Sequence, residues 1–144
     1  MTVLATEQAA ATAGREGQAT SNDGKLDLAL SPPGSNGPGT NPEQLFAAGY
    51  AACFGQAIKA MAQQHDISID ADALKVDATV QLHKGEDGGF YIDATLNAQI
   101  AGADQAQAET LVEKAHEICP YSKATRGNIE VTLQANGTAL KAAA

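Results

Sequence analysis

The sequence is poor in aromatic side chains, in tryptophan and in basic charge. Aromatic residues make up 4% of the 144 positions and tryptophan is absent, whereas thirty positions are alanine, so the core must be built from small side chains and closely packed backbones. Seventeen acidic residues against nine basic ones give a net charge of −8, which argues against nucleic acid as a partner. No apolar run reaches the roughly 18 residues that a membrane span requires, so we expect no membrane partner.

Cysteine is also scarce, since the chain contains two, Cys53 and Cys119. Their wide separation excludes a CxxC redox pair and a zinc ribbon, and on composition alone both are expected to be small buried hydrophobic residues. The N-terminal segment 1–8 has neither the basic region nor the apolar core of a secretory signal, so we expect a reducing, cytoplasmic location. The length is that of one domain, and we expect a single domain over residues 1–144.

The hydropathy pattern predicts an α+β domain with antiparallel sheet, in the order β-β-β-α-β-β-α-β. Residues 1–31 are predicted to form strands with a hairpin turn at Ser21–Gly24, and the Pro- and Gly-rich segment 31–40 a surface loop. Apolar and polar residues alternate over 74–82 and again over 90–100, which predicts an antiparallel hairpin with one wet face. A last strand is expected over residues 129–133.

The first predicted helix runs from its N-cap Asn41 to about Gln64, with Pro42 at the first helical position. From Leu45 to Phe54 it is apolar or small on every side, which predicts a helix buried all round. Gly49 is unexpected there because glycine costs about 1 kcal/mol relative to alanine inside a helix. Either another backbone approaches closely at this point, or space is kept open beside Cys53.

A second helix is predicted from Asp104, with Gln107 completing a capping box, to a stop at Pro120. His116 is expected to be partly exposed, and a short helical turn capped by Gly127 follows. The apolar stripe that should face the core recurs at helical spacing: Ala108, Leu111, Val112, Ala115, Ile118 and Cys119.

Two thiols of one chain can act as a peroxidatic and a resolving cysteine. A thiolate attacks an O–O bond and becomes a sulfenic acid, and a second thiol within reach condenses with it to a disulfide. The first sulfur then needs a cation to keep it ionised, for which Arg15 is the candidate and Glu43 its carboxylate partner. The alternatives are two inert core thiols and a solvated Arg15–Glu43 pair that contributes little.

A zinc site is a further alternative. His116 and Cys119 form an H-x-x-C pattern that would need Cys53 and either His65 or His83 to complete four ligands. The long spacing between these residues makes this interpretation unfavourable, and we expect no metal.

Two longer stretches resemble the cysteine motifs of organic hydroperoxide resistance proteins, the Ohr branch of the OsmC superfamily. Residues 40–54, TNPEQLFAAGYAACF, resemble the first motif, and residues 115–128, AHEICPYSKATRGN, resemble the second. Segments 14–17 and 23–27 resemble the N-terminal part of the family. The Pro120-Tyr121-Ser122 run favours the Ohr branch over its neighbour, the OsmC branch.

The resemblance implies an OsmC-like fold, in which antiparallel sheets pack around central buried helices in an intertwined homodimer with active sites at the subunit interface. It also implies a thiol-dependent peroxidase that reduces organic hydroperoxides, including those of fatty acids, to alcohols and so protects against oxidative stress. By this analogy Cys53 is the peroxidatic thiolate and Cys119 the resolving thiol. Arg15 would stabilise the thiolate and polarise the peroxide, and Glu43 would orient Arg15. No cofactor would be bound, and dihydrolipoyl groups of lipoylated proteins would reduce the disulfide.

An apolar substrate fits the side chains around the first cysteine. We expect an access path lined by Phe46, Tyr50, Phe54 and Ile58, and therefore a preference for organic or fatty-acid hydroperoxides over hydrogen peroxide. Two other functions stay open: a binding module for a hydrophobic ligand, with passive cysteines, and a redox sensor that passes its disulfide to a partner. A carrier of neutral ligands would gain nothing from a charge pair beside a thiol.

Overall fold

Three short N-terminal strands form an antiparallel sheet in the order β1-β2-β3. The structure is a computed structural model and describes residues 1–140. The predicted turn at Ser21–Gly24 joins β2 to β3, and the Gly24 backbone N–H donates to the Ser21 carbonyl over 3.0 Å. The strands are β1 Ala9–Thr12, β2 Gln18–Ser21 and β3 Asp27–Ala29, with a 3-10 turn at Gly14–Glu16.

Helix α1 spans Pro42–Gln64, as predicted. It begins there because the Asn41 side chain accepts a hydrogen bond from the Gln44 backbone N–H over 2.9 Å, which satisfies a donor that the first turn leaves unpaired. The expected burial on every side is wrong for the single chain. One face is exposed along the whole helix. From its N-terminal to its C-terminal half the residues on this face pass from alanines to polar side chains: Ala48, Ala52, Gln56, Lys59 and Gln63.

A second sheet has the strand order β4-β5-β6-β7. The predicted hairpin is confirmed as the antiparallel pair β4 (Lys75–Lys84) and β5 (Phe90–Gln99), in register from Lys75 opposite Gln99 to Lys84 opposite Phe90. Strand β6 (Val131–Ala135) instead runs parallel to β5, so the expectation of purely antiparallel sheet is wrong. The helices between β5 and β6 form the long crossover that a parallel pair needs.

Strand β7 (Thr138–Ala139) is an element that the predicted order lacks. It pairs antiparallel with β6 after a two-residue turn at Asn136-Gly137, where both residues have positive φ angles of 50° and 82°. Asn-Gly is the pair that a tight hairpin turn of this handedness favours, so the signal was present in the sequence.

Helix α2 spans Gln105–Ile118 and the short helix α3 spans Pro120–Thr125. The predicted capping box is confirmed, since Asp104 accepts from the Gln107 backbone N–H over 2.8 Å and Gln107 accepts from the Asp104 backbone N–H over 3.1 Å. Two predictions on the faces of α2 are wrong: Ile118 is 38% exposed, and His116 is buried.

The chain divides into two compact units, residues 1–45 and the remainder from Phe46 onward, and the expected single domain stays a prediction. In the larger unit the core lies between the four-stranded sheet and helices α1 and α2. No helix within residues 1–140 is both long and apolar enough to cross a membrane. The largest buried side chains of this core are Tyr50, Phe54, Ile58, Leu96, Leu111 and Leu133.

Candidate active site

The structure brings the two cysteines together from 66 positions apart in the chain. Cys53 lies in the middle of α1 and is partly exposed, whereas Cys119 is fully buried. Both are free thiols, and their Sγ atoms are 3.5 Å apart. Because a disulfide bond is about 2.05 Å long, an approach of roughly 1.5 Å would join them.

Cys119 occupies the corner between α2 and α3. It ends α2 and precedes α3 with an extended backbone, φ −60° and ψ 126°, and its N–H still donates to the Ala115 carbonyl over 2.8 Å. Pro120 enforces this corner, since it lacks the N–H that would continue α2 but fits the first position of a new helix. The turn of the chain thus directs the Cys119 sulfur into the core.

The groups around Cys53 disfavour its thiolate. Burial raises the pKa of Cys53, Cys119 acts in the same direction, and a hydrogen bond from the Tyr121 backbone N–H opposes them. The net direction is upward, opposite to the lowered pKa expected for a cysteine beside an arginine. An ionised Cys53 at neutral pH therefore needs a further positive charge.

Gly49 makes room for an aromatic side chain, which is neither of the two arrangements expected from the sequence. A Cβ atom at position 49 would lie 2.8 Å from the Tyr121 hydroxyl oxygen. The Tyr121 ring is 39% exposed and packs 5.7 Å from the Tyr50 ring and 6.3 Å from the Phe46 ring, between centroids. Gly49 thus lets α1 and α3 approach on the side of the helix that carries Tyr50.

The expected apolar access path is largely closed in the structure. Tyr50, Phe54 and Ile58 have no exposed surface and belong to the core, whereas Phe46 is partly buried against it. In this conformation a path along these side chains would reach no further than Phe46. Contact of any of the four with a substrate stays a prediction.

Arg15 and Glu43 form the expected pair within the smaller unit. Two parallel hydrogen bonds of 2.8 Å join Nη1 to Oε2 and Nη2 to Oε1. The Glu43 side chain is 13% exposed and that of Arg15 44% exposed. The hydrogen bonds from Arg15 lower the pKa of Glu43, and those to Glu43 raise the pKa of Arg15. Both side chains are therefore charged over the physiological pH range.

A tight turn presents Arg15. The two residues before it, Ala13 and Gly14, have φ angles of 54° and 58°. Gly17 closes the turn, because a Cβ there would lie 1.8 Å from the Thr12 carbonyl oxygen. Gly17 is thus required by the close approach of the Thr12 backbone, and Gly14 adopts its left-handed conformation without strain.

A buried polar network lies where the sequence predicted none. Ser122 Oγ is 2.8 Å from the Tyr50 hydroxyl and 2.9 Å from His116 Nδ1, and Thr125 Oγ1 is 3.2 Å from the same Tyr50 hydroxyl. All four side chains are at most 6% exposed. The hydrogen bond to Ser122 is the physical reason why His116 is buried rather than partly exposed. The available signal was the pair of hydroxyl residues, Ser122 and Thr125, on one face of a single helical turn.

The zinc alternative receives no support from the described part of the chain. Residues 1–140 contain no group of three or more His, Cys, Asp or Glu side chains arranged to hold a metal ion. His83 lies on β4, where its Nε2 atom is 2.8 Å from an Asp93 carboxylate oxygen.

The OsmC-like protein family matches residues 34–134, a segment that includes both cysteines and the network between them. The chain belongs to this family. In sequence it is 52% identical to the organic hydroperoxide resistance protein of Xanthomonas axonopodis pv. citri, over 91% of this chain and 94% of the relative. It is 48% identical to the organic hydroperoxide resistance protein OhrB of Bacillus subtilis, over 91% of this chain and 97% of the relative.

Solved structures of the family show the same fold. The crystal structure of Bacillus subtilis OhrB superposes with a TM-score of 0.86 at 47% identity, covering 92% of this chain and 99% of that one. The structure of a putative organic hydroperoxide resistance protein from Vibrio cholerae, with captopril bound in one of its active sites, has a TM-score of 0.90 at 43% identity and covers 97% of both chains. The α+β fold of this OsmC-family chain, with two sheets and helices, is thereby established, as is its kinship with organic hydroperoxide resistance proteins.

Proposed function

We propose that this chain is a thiol-dependent peroxidase that reduces organic hydroperoxides to alcohols. The observation that carries the proposal is the 3.5 Å separation of two free sulfurs from distant parts of the chain. Names of close relatives that refer to organic hydroperoxide resistance support the substrate class. The two further functions that the sequence left open, a binding module and a redox sensor, are separated from it by the experiment below.

Cys53 is the proposed nucleophile because it is partly exposed, whereas a peroxide cannot reach the fully buried Cys119. The Cys53 thiolate attacks the terminal oxygen of the hydroperoxide, the O–O bond breaks, and the alkoxide takes a proton to leave as the alcohol. The resulting Cys53 sulfenic acid then reacts with the Cys119 thiol, which forms the S–S bond and releases water.

Arg15 is the proposed source of the positive charge that Cys53 needs. Burial raises the pKa of Cys53, so an arginine that stays charged when desolvated is the suitable counter-charge. The same guanidinium would stabilise the alkoxide as the O–O bond breaks. Glu43 holds Arg15 by two hydrogen bonds and stands in the first turn of α1, ten residues before Cys53. We infer that Glu43 orients Arg15 for this task.

The cycle closes when a dithiol reduces the disulfide. Two thiols of the reductant form their own disulfide and return two hydrogens to Cys53 and Cys119. Dihydrolipoyl groups of lipoylated proteins are the proposed donors, and a cytoplasmic location, where thiols are kept reduced, belongs to the same proposal.

A second copy of the chain is the proposed cover for the exposed face of α1. Alanines such as Ala48 and Ala52 are exposed on a stretch of helix that has almost no polar side chain. An apolar helix face is stable when it is covered, and the family resemblance implies an intertwined homodimer with active sites at the interface.

An anaerobic thiol count with intact mass, before and after one equivalent of cumene hydroperoxide, tests the proposal. Loss of both thiols and of two hydrogens, with no added oxygen, is the expected result. The C119S variant should instead gain one oxygen on Cys53. If both thiols survive, the cysteines are inert and the binding module becomes the better interpretation.

Turnover separates the peroxidase from the redox sensor. A peroxidase consumes many equivalents of cumene hydroperoxide with dihydrolipoamide as the donor, whereas a sensor is oxidised once and is not efficiently reduced. Hydrogen peroxide serves as the comparison substrate, and equal or faster turnover of it would remove the proposed preference for organic hydroperoxides.

A further inference from the structure

The buried network of Tyr50, Ser122, His116 and Thr125 ties together the helices that carry the two cysteines. Tyr50 lies three residues before Cys53 on α1, while Ser122 lies three residues after Cys119 on α3. His116 belongs to the last turn of α2, so its contact with Ser122 spans the corner at Cys119. The network therefore fixes that corner relative to α1.

We propose that this network is a positioning device that holds the Cys119 thiol against Cys53, so that a sulfenic acid on Cys53 is converted to a disulfide before a second peroxide reaches it. The inference rests on the proposed peroxidase function. It assigns to the Ser122 hydroxyl a role in the second chemical step and none in the first.

Ser122 is the centre of the network because its hydroxyl contacts two partners on two helices. Its Oγ atom is 2.8 Å from the Tyr50 hydroxyl on α1 and 2.9 Å from His116 Nδ1 on α2. Ser122 itself has no exposed surface, so water cannot replace either contact without opening the core. Removing this one oxygen deletes the contacts of Ser122 with both Tyr50 and His116 and leaves the Thr125 hydroxyl as the α3 partner of Tyr50.

Thr125 closes the network on the α3 side. Its hydroxyl donates to the Ser122 carbonyl over 3.1 Å and lies 3.2 Å from the Tyr50 hydroxyl. Burial raises the pKa of Tyr50, and the nearby Cys119 sulfur adds to this effect, so the phenol stays neutral beside the thiol. Arg126 adds a bond from its guanidinium to the His116 carbonyl, which braces the end of α2.

Two reactions compete for the sulfenic acid. In resolution, Cys53–SOH and Cys119–SH give the disulfide and water. In over-oxidation, Cys53–SOH and a second hydroperoxide give the Cys53 sulfinic acid and an alcohol. The first reaction depends on the position of Cys119 and the second on peroxide concentration alone. A displaced Cys119 therefore shifts the outcome toward the sulfinic acid.

The test compares the S122A and Y50F variants with the unmodified protein at rising cumene hydroperoxide concentration, with dihydrolipoamide as reductant. Intact mass gives the fractions of disulfide and sulfinic acid, and stopped-flow kinetics gives the rate of the first step separately. Y91F is the matched control, since it also deletes a hydrogen-bonded tyrosine hydroxyl, here one that donates to Asp87 in the β4–β5 turn region. Thermal melting establishes that each variant is folded, and Y50F, which removes a single oxygen, keeps the test available if S122A does not fold.

S122A and Y50F should become half over-oxidised at a peroxide concentration at least about tenfold lower than the unmodified protein, because a displacement of ~1 Å can cost a reaction up to 10²-fold. The first step should be unchanged in S122A, and Y91F should match the unmodified protein in both measurements. An unchanged half-oxidation concentration overturns the proposal, and so does an equal slowing of both steps, which would mark a purely structural role. If the unmodified protein itself forms no disulfide, the proposed peroxidase function fails, and this inference with it.

Discussion

At the scale of single residues, the proposed catalytic groups differ in their electrostatics: the surroundings of Cys53 disfavour its thiolate, whereas Arg15 and Glu43 hold each other in the charged form. The local environment raises the pKa of Cys53, while the two-fold hydrogen bonding of Arg15 and Glu43 lowers the pKa of the carboxylate. Burial that disfavours the thiolate also makes a counter-charge more effective, since electrostatic interactions strengthen in a low dielectric. The predictions at this scale follow from the Arg15–Glu43 geometry.

The R15K variant keeps the positive charge but loses the planar fork that makes two bonds to Glu43. We expect kcat/KM for cumene hydroperoxide to fall about tenfold, equivalent to about 1.4 kcal/mol of transition-state stabilisation. Steady-state kinetics with dihydrolipoamide measures it. K75R, a change in the exposed pair with Asp77, is the control and should leave the rate unaltered. A kcat/KM of R15K equal to that of the unmodified protein would show that a positive charge at position 15 is enough for catalysis without the guanidinium fork.

Acid should weaken the protein through Glu43. Its pKa is lower in the folded chain than in the unfolded one, so its contribution to stability is complete above the unfolded value of about 4.3 and is lost as the pH falls through the folded value. The E43Q variant lacks this contribution at every pH. We expect urea unfolding to show a difference between the two proteins at pH 7 of at most about 1 kcal/mol, because Arg15 is 44% exposed, and this difference should shrink as the pH falls through the folded-state pKa of Glu43. A pH-independent difference would refute the linkage.

The sequence points to residue types with unusual chemistry and not to those with ordinary chemistry. Cys53, Cys119 and Arg15 are rare residue types in this chain, so each stands out as a candidate for a chemical role. Ser122 and Thr125 are common hydroxyl residues, and nothing in the one-dimensional pattern shows that Tyr50 reaches them across 72 and 75 positions. The exposure of His116 was wrongly predicted for the same reason, because burial of an imidazole depends on a partner that only the fold supplies.

At the scale of elements, local signals determined the helices and non-local pairing determined the sheet. The bounds of α1 and the cap of α2 were predictable because Asn41, Pro42 and Asp104 act within a few residues of themselves. The pairing of β6 with β5 was not predictable. The alternation of apolar and polar residues shows that β6 is a strand, but it does not show which edge of the sheet the strand joins or in which direction it runs. The parallel pairing is a property of the α2–α3 crossover.

Gly49 and Gly55 on α1 allow a matched test of close packing. A Cβ at position 55 would meet Val76 at an ordinary 3.7 Å, whereas one at position 49 would lie 2.8 Å from the Tyr121 hydroxyl. We expect G55A to stabilise the protein by about 1 kcal/mol, the helix-propensity difference, and G49A to give no gain or a loss. In a Y121A background the gain should appear at position 49 as well. Urea denaturation of five proteins measures it: the unmodified protein, G55A, G49A, Y121A and the G49A/Y121A double variant. Equal gains in G49A and G55A would contradict the close contact.

At the scale of the whole molecule, the exposed face of α1 predicts self-association. Ala48 and Ala52 are exposed in the single chain, on the segment whose sequence indicated burial on every side. We expect sedimentation velocity at micromolar concentration to show a dimer. An A48E variant should shift it to the monomer, because a buried charge without a partner is strongly unfavourable. Q81E, on the polar face of β4, adds the same charge as a control. A monomeric unmodified protein would count against the dimer.

Because the two sulfurs come from positions 66 residues apart, each chain must fold before its cysteines can react with each other. In an open chain, bringing these positions together costs about 4 kcal/mol of loop entropy, so the two thiols have a very low effective concentration toward each other. In the folded chain, the packing of the core around the two cysteines offsets this loss of entropy before any peroxide reacts. In a newly made chain that meets peroxide before it folds, a sulfenic acid on either cysteine has no second thiol nearby, and a second peroxide then converts it irreversibly to the sulfinic acid. Folding must therefore precede exposure to oxidant. In a culture treated with peroxide, the fraction of chains with over-oxidised cysteines would report the fraction that was still unfolded at the time of treatment.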